Sequence, residues 1–370
     1  DFQQYVVAPL QQGPAGRASV QQQTGEVTPP KRGNPRKQFW LLSSRFLELL
    51  WNDKGNLAVL LLQAPVIGII LFFLARGDIF FATSVADCPT RATITDTSGP
   101  IFSHDCGRVV QALGTANITG SKGDQLLNQE IRPGSGADAQ DILFIMDFAA
   151  LFFGCINGAG AIVKEVAIYR RERAVNLGLV PYLFSKIIVL GVLCLLQSAV
   201  LVFFVNLKAP LQQGVLLPPV LEVYITLALT SLAGLMLGLM VSATAPNNDR
   251  ALSIIPIIMV AQVIFAGVIF SLDTPLLKFI GVFFASGWAN AGLGTSLGLH
   301  SDKLGQDDCS YVTSPGNCAY RGDLFVSLNQ QAAQNAAIEH LLLVWFVLIV
   351  MFVAFTALTV YFLKRKDVRG

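Results

Sequence analysis

The chain has 370 residues, 53% of them hydrophobic and only 14% charged, with a formal net charge of +2 and a mean hydropathy of +0.56. A soluble domain usually carries about 25% charged residues, and here the apolar residues come in long runs, so lipid rather than a globular core is their expected solvent. This balance argues against a soluble enzyme and a nucleic-acid partner, while the small net charge identifies no partner of its own.

Residues 1–35 are polar and turn-rich, including Gln21-Gln22-Gln23 and Thr28-Pro29-Pro30-Lys31-Arg32-Gly33, the composition of a linker or disordered arm. Over 36–54 the pattern becomes helical. Phe39, Leu42, Phe46, Leu49 and Leu50 fall on one stripe, opposite Ser44, Arg45, Glu48 and Asn52. With Trp40, Trp51, Arg36 and Lys37 at its edges, this stretch reads as a helix lying in the membrane interface; an ordinary amphipathic helix packed on protein is the alternative.

A bilayer core about 30 Å thick needs roughly 20 apolar helical residues to cross it. Six stretches qualify: 57–74, 142–163, 187–205, 220–241, 252–272 and 341–363. A seventh, 275–299, begins at a proline, carries Lys278 and contains Gly281, Gly287, Gly292, Gly294 and Gly298; it suits a re-entrant external hairpin better than a span. Six spans with both ends inside put Lys31, Arg32, Arg36, Lys37, Lys164, Arg170, Arg171, Arg173, Lys186, Arg250 and the tail Lys364-Arg365-Lys366 on the cytoplasmic face, as the positive-inside rule requires. A seventh span would send the basic tail outside.

That topology leaves two long external loops, 75–141 and 273–340. Cys88 and Cys106 fall in the first, Cys309 and Cys318 in the second, so the pairs Cys88–Cys106 and Cys309–Cys318 are expected as disulfides on an oxidising face. Cys155 and Cys194 sit within spans and are expected free. Asn117-Ile118-Thr119 fits a glycosylation acceptor.

The sequence holds no Gly-x-x-x-x-Gly-Lys-Ser/Thr phosphate loop, no His-Glu-x-x-His and no paired Cys-x-x-Cys, and its three histidines, His104, His300 and His340, are far apart. No catalytic residue, metal or cofactor is therefore expected in these residues. Within the spans, Gly154-x-x-x-Gly158 and Gly234-x-x-x-Gly238 permit close helix contact, inside one chain or across a dimer seam. Asp147 is expected near the outer end of its span, within reach of water. Asn157, Gln197 and Gln262 lie deeper, as helix glue or as the lining of a path.

The short loop after the second span, Lys164-Glu165-Val166-Ala167-Ile168-Tyr169-Arg170-Arg171-Glu172-Arg173, mixes cations with carboxylates. A topological anchor accounts for its arginines. Glu165, Glu172 and Tyr169 suit a surface that docks on another protein by complementary charge.

With Tyr182-Leu183-Phe184-Ser185-Lys186 leading into the third span, Ala245-Pro246-Asn247-Asn248-Asp249-Arg250-Ala251 leading to Pro256, and the disulfide-bearing last external loop, the chain resembles the membrane domain of type 2 ABC exporters, in particular the White-type or G-subfamily transporters. The resemblance covers roughly 36–366. It departs from that pattern in the first external loop, which is longer than the family norm. It implies an all-α integral membrane protein: a connecting helix at 36–54, then a six-helix permease domain at 55–366 in the plasma (inner) membrane. Glu165, Arg170, Arg171, Glu172 and Arg173 would couple to a nucleotide-binding domain that holds ATP and Mg, on the same polypeptide or a separate chain. The polar first 35 residues would fit the exit from such a domain.

The resemblance further implies a homodimer or pseudo-symmetric dimer among membrane lipids, with alternating access. Its substrate cavity would be lined by Phe148, Phe152 and Asn157 from the second span and by Met259, Gln262 and Phe265 from the fifth. Such a cavity suits a lipid-like or amphipathic substrate. A drug or small hydrophobic molecule exporter stays open as an alternative. So does an ion-coupled secondary transporter, although no inverted repeat with broken helices is seen.

Overall fold

The computed structural model describes residues 34–75, 77, 79–80, 136–174, 177–211, 214–268, 274–297 and 330–369. The four outer cysteines, Asn117, the arm and most of both expected external loops lie outside them. The described residues are helical throughout, with no strand.

Helix α1 (Pro35–Asn52) starts where Asn34 accepts from Arg36 N–H at 3.1 Å, with proline at its first position, a start that needs no amide donor from that residue. Asp53 alone separates it from α2 (Lys54–Leu74), whose first turn it caps through Asn56 N–H at 3.2 Å. The two helices thus meet in an elbow. Next come α3 (Gly136–Ala159), a 3-10 turn (Val163–Glu165), α4 (Val166–Ala174), α5 (Leu179–Lys208) and α6 (Pro219–Thr244). Before α6 the chain folds back on Glu222, whose carboxylate accepts from the amides of Val215 at 3.0 Å and Leu217 at 2.7 Å. Helix α7 (Asn248–Phe265) is capped by Asn247 through Arg250 N–H at 3.0 Å. It ends before Gly267, whose φ of 77° is a left-handed conformation that glycine adopts without steric cost. It therefore stops short of 272, where the apolar run alone would have carried it.

Among the described residues six helices are long and apolar enough to cross a membrane: α2, α3, α5, α6, α7 and α10 (Gln330–Arg369). In the most apolar stretch of each, 78% of α6 and 72% of α3 is buried, against 22% for α2, α7 and α10. So α3 and α6 form the centre, and the other three turn apolar side chains outward, among them Val59, Phe73, Ile257 and Phe346. This is the surface of a multi-pass membrane protein, where lipid covers what water would not.

The central contact is made by glycine. A Cβ at Gly154 or Gly158 would come within 3.0 Å of the backbone of α6, and one at Gly234 or Gly238 within 3.0 Å of the backbone of α3. The two motifs face each other inside one chain. Of the two roles their spacing allowed, this contact fulfils the internal one.

Residues 275–299 form no continuous helix. Helix α8 (Pro275–Gly281) and helix α9 (Ala285–Ser296) meet at 89°. At 1.5 Å per residue, the 12 residues of α9 extend about 18 Å, too short to span a bilayer core of about 30 Å. All of α9 is buried, while Lys278 on α8 is exposed. The bend is closed by Trp288 Nε1, which donates to the Val282 carbonyl at 2.9 Å, and by Phe265 stacked on Phe284 with centroids 4.4 Å apart.

Candidate functional site

The charged stretch after α3 lies at one end of the bundle, with α1, the start of α5, the end of α6 and the tail of α10. Lys366 Nζ donates there to the carbonyls of Ala243 at 3.3 Å and Ala245 at 3.1 Å. These are unsatisfied acceptors at the end of α6, where a cation is favoured. Of the cations expected on one face, Lys164, Arg170, Arg171, Lys186 and Arg250 are carried at this end.

The structure divides the five expected coupling residues into two sets. Glu165 does not face outward: it is 8% exposed and pairs with Lys186 Nζ at 2.6 Å. Lys186 is itself buried, and its ammonium sits 3.4 Å from the centroid of the Phe46 ring. A desolvated cation needs both a counter-charge and polarisable contact, and it draws one from the end of α3 and the other from α1. Glu172 is half-buried and paired with Arg45 of α1. Arg173 donates to the Leu177 carbonyl at 2.5 Å. Arg170 and Arg171 are exposed.

Behind them the Tyr169 and Tyr182 rings lie 4.7 Å apart, and Gln38 of α1 accepts from Gly178 N–H at 3.2 Å. Helix α4 and the turns flanking it are thus held to α1 and α5 by two ion pairs, a ring contact and a side chain–backbone bond. It presents Arg170 and Arg171 to solvent. Between α1 and α4 runs an open groove of about 700 Å³ bordered by Arg45, Glu48, Arg171 and Glu172.

The six residues expected to line a substrate cavity have different neighbours within the single chain. Asn157 lies in the wall of a cavity of about 500 Å³ at the elbow. It also bonds across three helices, donating to Gln197 Oε1 at 2.8 Å and accepting from Gln63 Nε2 at 3.2 Å. Gln197 in turn donates to the Leu60 carbonyl at 2.6 Å. Gln262 is buried and accepts from Ser286 N–H at 3.1 Å, and Met259 packs in the core. Phe148 and Phe152 stack along α3 with centroids 6.2 Å apart, and Phe265 packs on Phe284.

Asp147, expected within reach of water, is fully buried and accepts from Ser286 Oγ at 2.6 Å. The bent α8–α9 pair is therefore keyed to α3 and α7 through one serine. Cys155 and Cys194 are free and buried, as expected.

Sequence reasoning missed Arg45, Gln63 and Ser286 as partners, and it read Lys186 only as a topological charge. A lone glutamine inside the apolar run of α2 was a visible signal. The pairing of Arg45 with Glu172, 127 positions apart, had no local one.

A model of the ABC-2 type transporter family matches residues 37–283, from α1 to the bend after α8. Over 129 residues the chain is 35% identical to the ABC transporter ATP-binding/permease protein Rv1747 of Mycobacterium tuberculosis, a stretch covering 34% of this chain and 15% of that protein. The chain thus spans only a small part of that relative's length. Six apolar helices around a glycine seam, a charged end and a family match over most of the chain lead to one assignment: this chain belongs to the ABC-2 type transporter family and carries its membrane domain.

Proposed function

We propose that the chain is the membrane half of an ATP-driven exporter of the White type, moving a lipid-like or amphipathic substrate outward by alternating access as a dimer. The observation that carries this reading is α4 itself: a short helix with exposed arginines, braced from behind against both α1 and the base of α5. A force applied at Arg170 and Arg171 reaches two helices at once. That is what a coupling element needs, and an anchor of membrane topology does not.

In this reading the charged end faces the cytoplasm, in accord with its lysines and arginines, in the plasma membrane. A nucleotide-binding domain holding ATP and Mg docks over the groove between α1 and α4, with Arg170, Arg171 and Glu48 as its charged contacts. Glu165 and Glu172 serve instead as internal braces. The exposed Trp40, Leu41, Leu47 and Trp51 of α1 rest in the interface, where tryptophan is favoured. The α8–α9 bend is a re-entrant element on the outer side, and Phe148, Phe152 and Phe265 face a second copy across the substrate path.

The test is transport of a fluorescent phospholipid analogue in proteoliposomes containing the full polypeptide that supplies the ATPase. Reversing Arg170→Glu with Arg171→Glu leaves insertion intact and lowers substrate-stimulated ATP hydrolysis and transport about tenfold or more, since truncating or reversing interface charges costs about 2–5 kcal/mol. Unchanged transport by this variant would show that α4 is only an anchor.

A further inference from the structure

The cavity of about 500 Å³ at the α1–α2 elbow is lined by none of the exposed arginines of α4, and its lining has a distinct chemistry. One wall is apolar and open to the membrane side, with Val59 of α2 63% exposed and Leu252 of α7 41% exposed. The other is polar: Asp53 and Asn56 from the elbow, Lys164 from the turn after α3, and Asn248 from the first turn of α7. Its volume lies within the roughly 300–1,000 Å³ of small-molecule sites.

The carboxylates of this lining are engaged. Asp53 caps the first turn of α2 through Asn56 N–H at 3.2 Å, and Glu165 is paired with Lys186 at 2.6 Å. Lys164 is not: no carboxylate pairs with it among the described residues. Its side chain folds over Gly160, where an added Cβ would lie 3.1 Å from Lys164 Cε, 3.5 Å from its Nζ and 3.1 Å from Asn248 Oδ1. The ammonium and the Asn248 amide therefore converge over one glycine, and Asn248 Oδ1 is buried with no hydrogen-bond partner among the described residues. An unpaired cation at the polar end of an apolar slot matches a ligand that is anionic at one end and apolar at the other, and the unsatisfied Asn248 oxygen, an acceptor, suits a hydroxyl or ammonium donor beside the anionic group.

We infer that this elbow cavity binds the phosphate-bearing headgroup of a membrane phospholipid, with Lys164 on the phosphate and the acyl chains along Val59 and Leu252. Lysine binds phosphate as a point charge, so the site selects the phosphate rather than one particular headgroup. The apolar wall separates a lipid from free phosphate as the occupant. The site shares only Asn157 with the proposed transport path. It rests on the membrane placement of the bundle and needs no ATPase, so it can fail or hold independently of the coupling role of α4.

The test uses the full chain, delipidated in an uncharged detergent, with bound lipid counted by native mass spectrometry. Three probes are compared: dioleoylphosphatidylglycerol, dioleoylglycerol with the same chains and no phosphate, and inorganic phosphate as competitor. The phospholipid is expected to bind about tenfold more tightly than the diacylglycerol, the scale of one charge-assisted hydrogen bond. Lys164→Gln abolishes that preference and Lys164→Arg keeps it. Lys364→Gln, which removes another exposed cation at the same end, leaves it unchanged. Gly160→Val fills the space between Lys164 and Asn248 and lowers binding of both lipids. The inference is overturned if Lys164→Gln binds the phospholipid as the parent chain does, or if the two lipids bind equally. Displacement of the phospholipid by millimolar inorganic phosphate would also overturn it, by making free phosphate the occupant. Lys164 is exposed and makes no ion pair with a described residue, so its substitution tests the site without endangering the fold.

Discussion

The α3–α6 seam and the charged junction of α1, α4 and α5 both hold helices together, by opposite means. In the seam four glycines bring two backbones into contact with no charge involved. In the charged junction long side chains reach across gaps, Lys186 to Glu165 and Arg45 to Glu172. The difference follows from the solvent. Within the bilayer, burying apolar surface gains nothing over leaving it in lipid, so helices associate through close packing and small residues. At the water's edge charges are affordable when paired, and a pair can reorient with its partner. The centre of this protein is built to stay in place. Its charged end is built from contacts that can be exchanged.

The sharpest way to break that comparison is to add carbon to the seam. Gly238→Leu on α6 or Gly154→Leu on α3 would drive a side chain into the facing backbone, and no folded protein is expected. Even Gly154→Ala should cost about 1–3 kcal/mol or more, as overpacking does. Gly191 on α5 supplies the control, because a Cβ there would meet only the Leu232 side chain, at 3.4 Å. Gly191→Ala should be neutral or stabilising by up to about 1 kcal/mol, the helix-propensity difference. Thermal unfolding in detergent reads both. Equal effects at Gly154 and Gly191 would remove the seam from the account of the fold.

The buried pair in the charged junction comes next. Lys186→Met strands the Glu165 carboxylate in a site that is almost dry, and removing one member of a buried pair costs about 3–5 kcal/mol. The double variant Glu165→Leu with Lys186→Met should recover most of that loss, since an apolar replacement of both charges is often neutral. A double variant no better than the single one would mean that Lys186 acts through the Phe46 ring, 3.4 Å from its ammonium, and not through Glu165.

The sequence made some of this visible and concealed the rest for physical reasons. The six spans were legible because lipid demands long apolar runs, and the glycine motifs because their spacing places them on one helix face. The partner of those glycines was not legible, since a four-residue spacing suits a neighbour in the chain and a second copy equally. The third span was expected to begin at 187, yet α5 begins at Leu179. Lys186 had been read as a charge outside the membrane, but its pairing lets the helix continue inward through it. Asp147 was placed near water because a charge in lipid is costly. Its neighbour Ser286 lies 139 positions away, where no local pattern could announce it. The expected substrate-lining set rested on family resemblance; Asn157 of it lies in the wall of the α1–α2 cavity, while Met259 packs in the core and Gln262 bonds to Ser286.

The smallest effect on stability is expected at Arg45 and Glu172, and it carries the most functional information. Their side chains are 37% and 30% exposed, so the pair is screened, and breaking it should cost no more than about 1 kcal/mol, less at high salt. Arg45→Glu or Glu172→Arg alone places like charges between α1 and α4 without disturbing the seam or the buried pair. If that bridge aligns α4 for its partner, each single variant folds normally yet loses ATP-coupled transport. The exchanged double variant, Arg45→Glu with Glu172→Arg, restores the attraction in the opposite sense and should regain transport. Measuring unfolding temperature and transport on the same three variants separates the two roles. Loss of transport in the singles with recovery in the double places α1 in the coupling path, whereas equal loss in all three would assign Glu172 a direct contact with the nucleotide-binding domain.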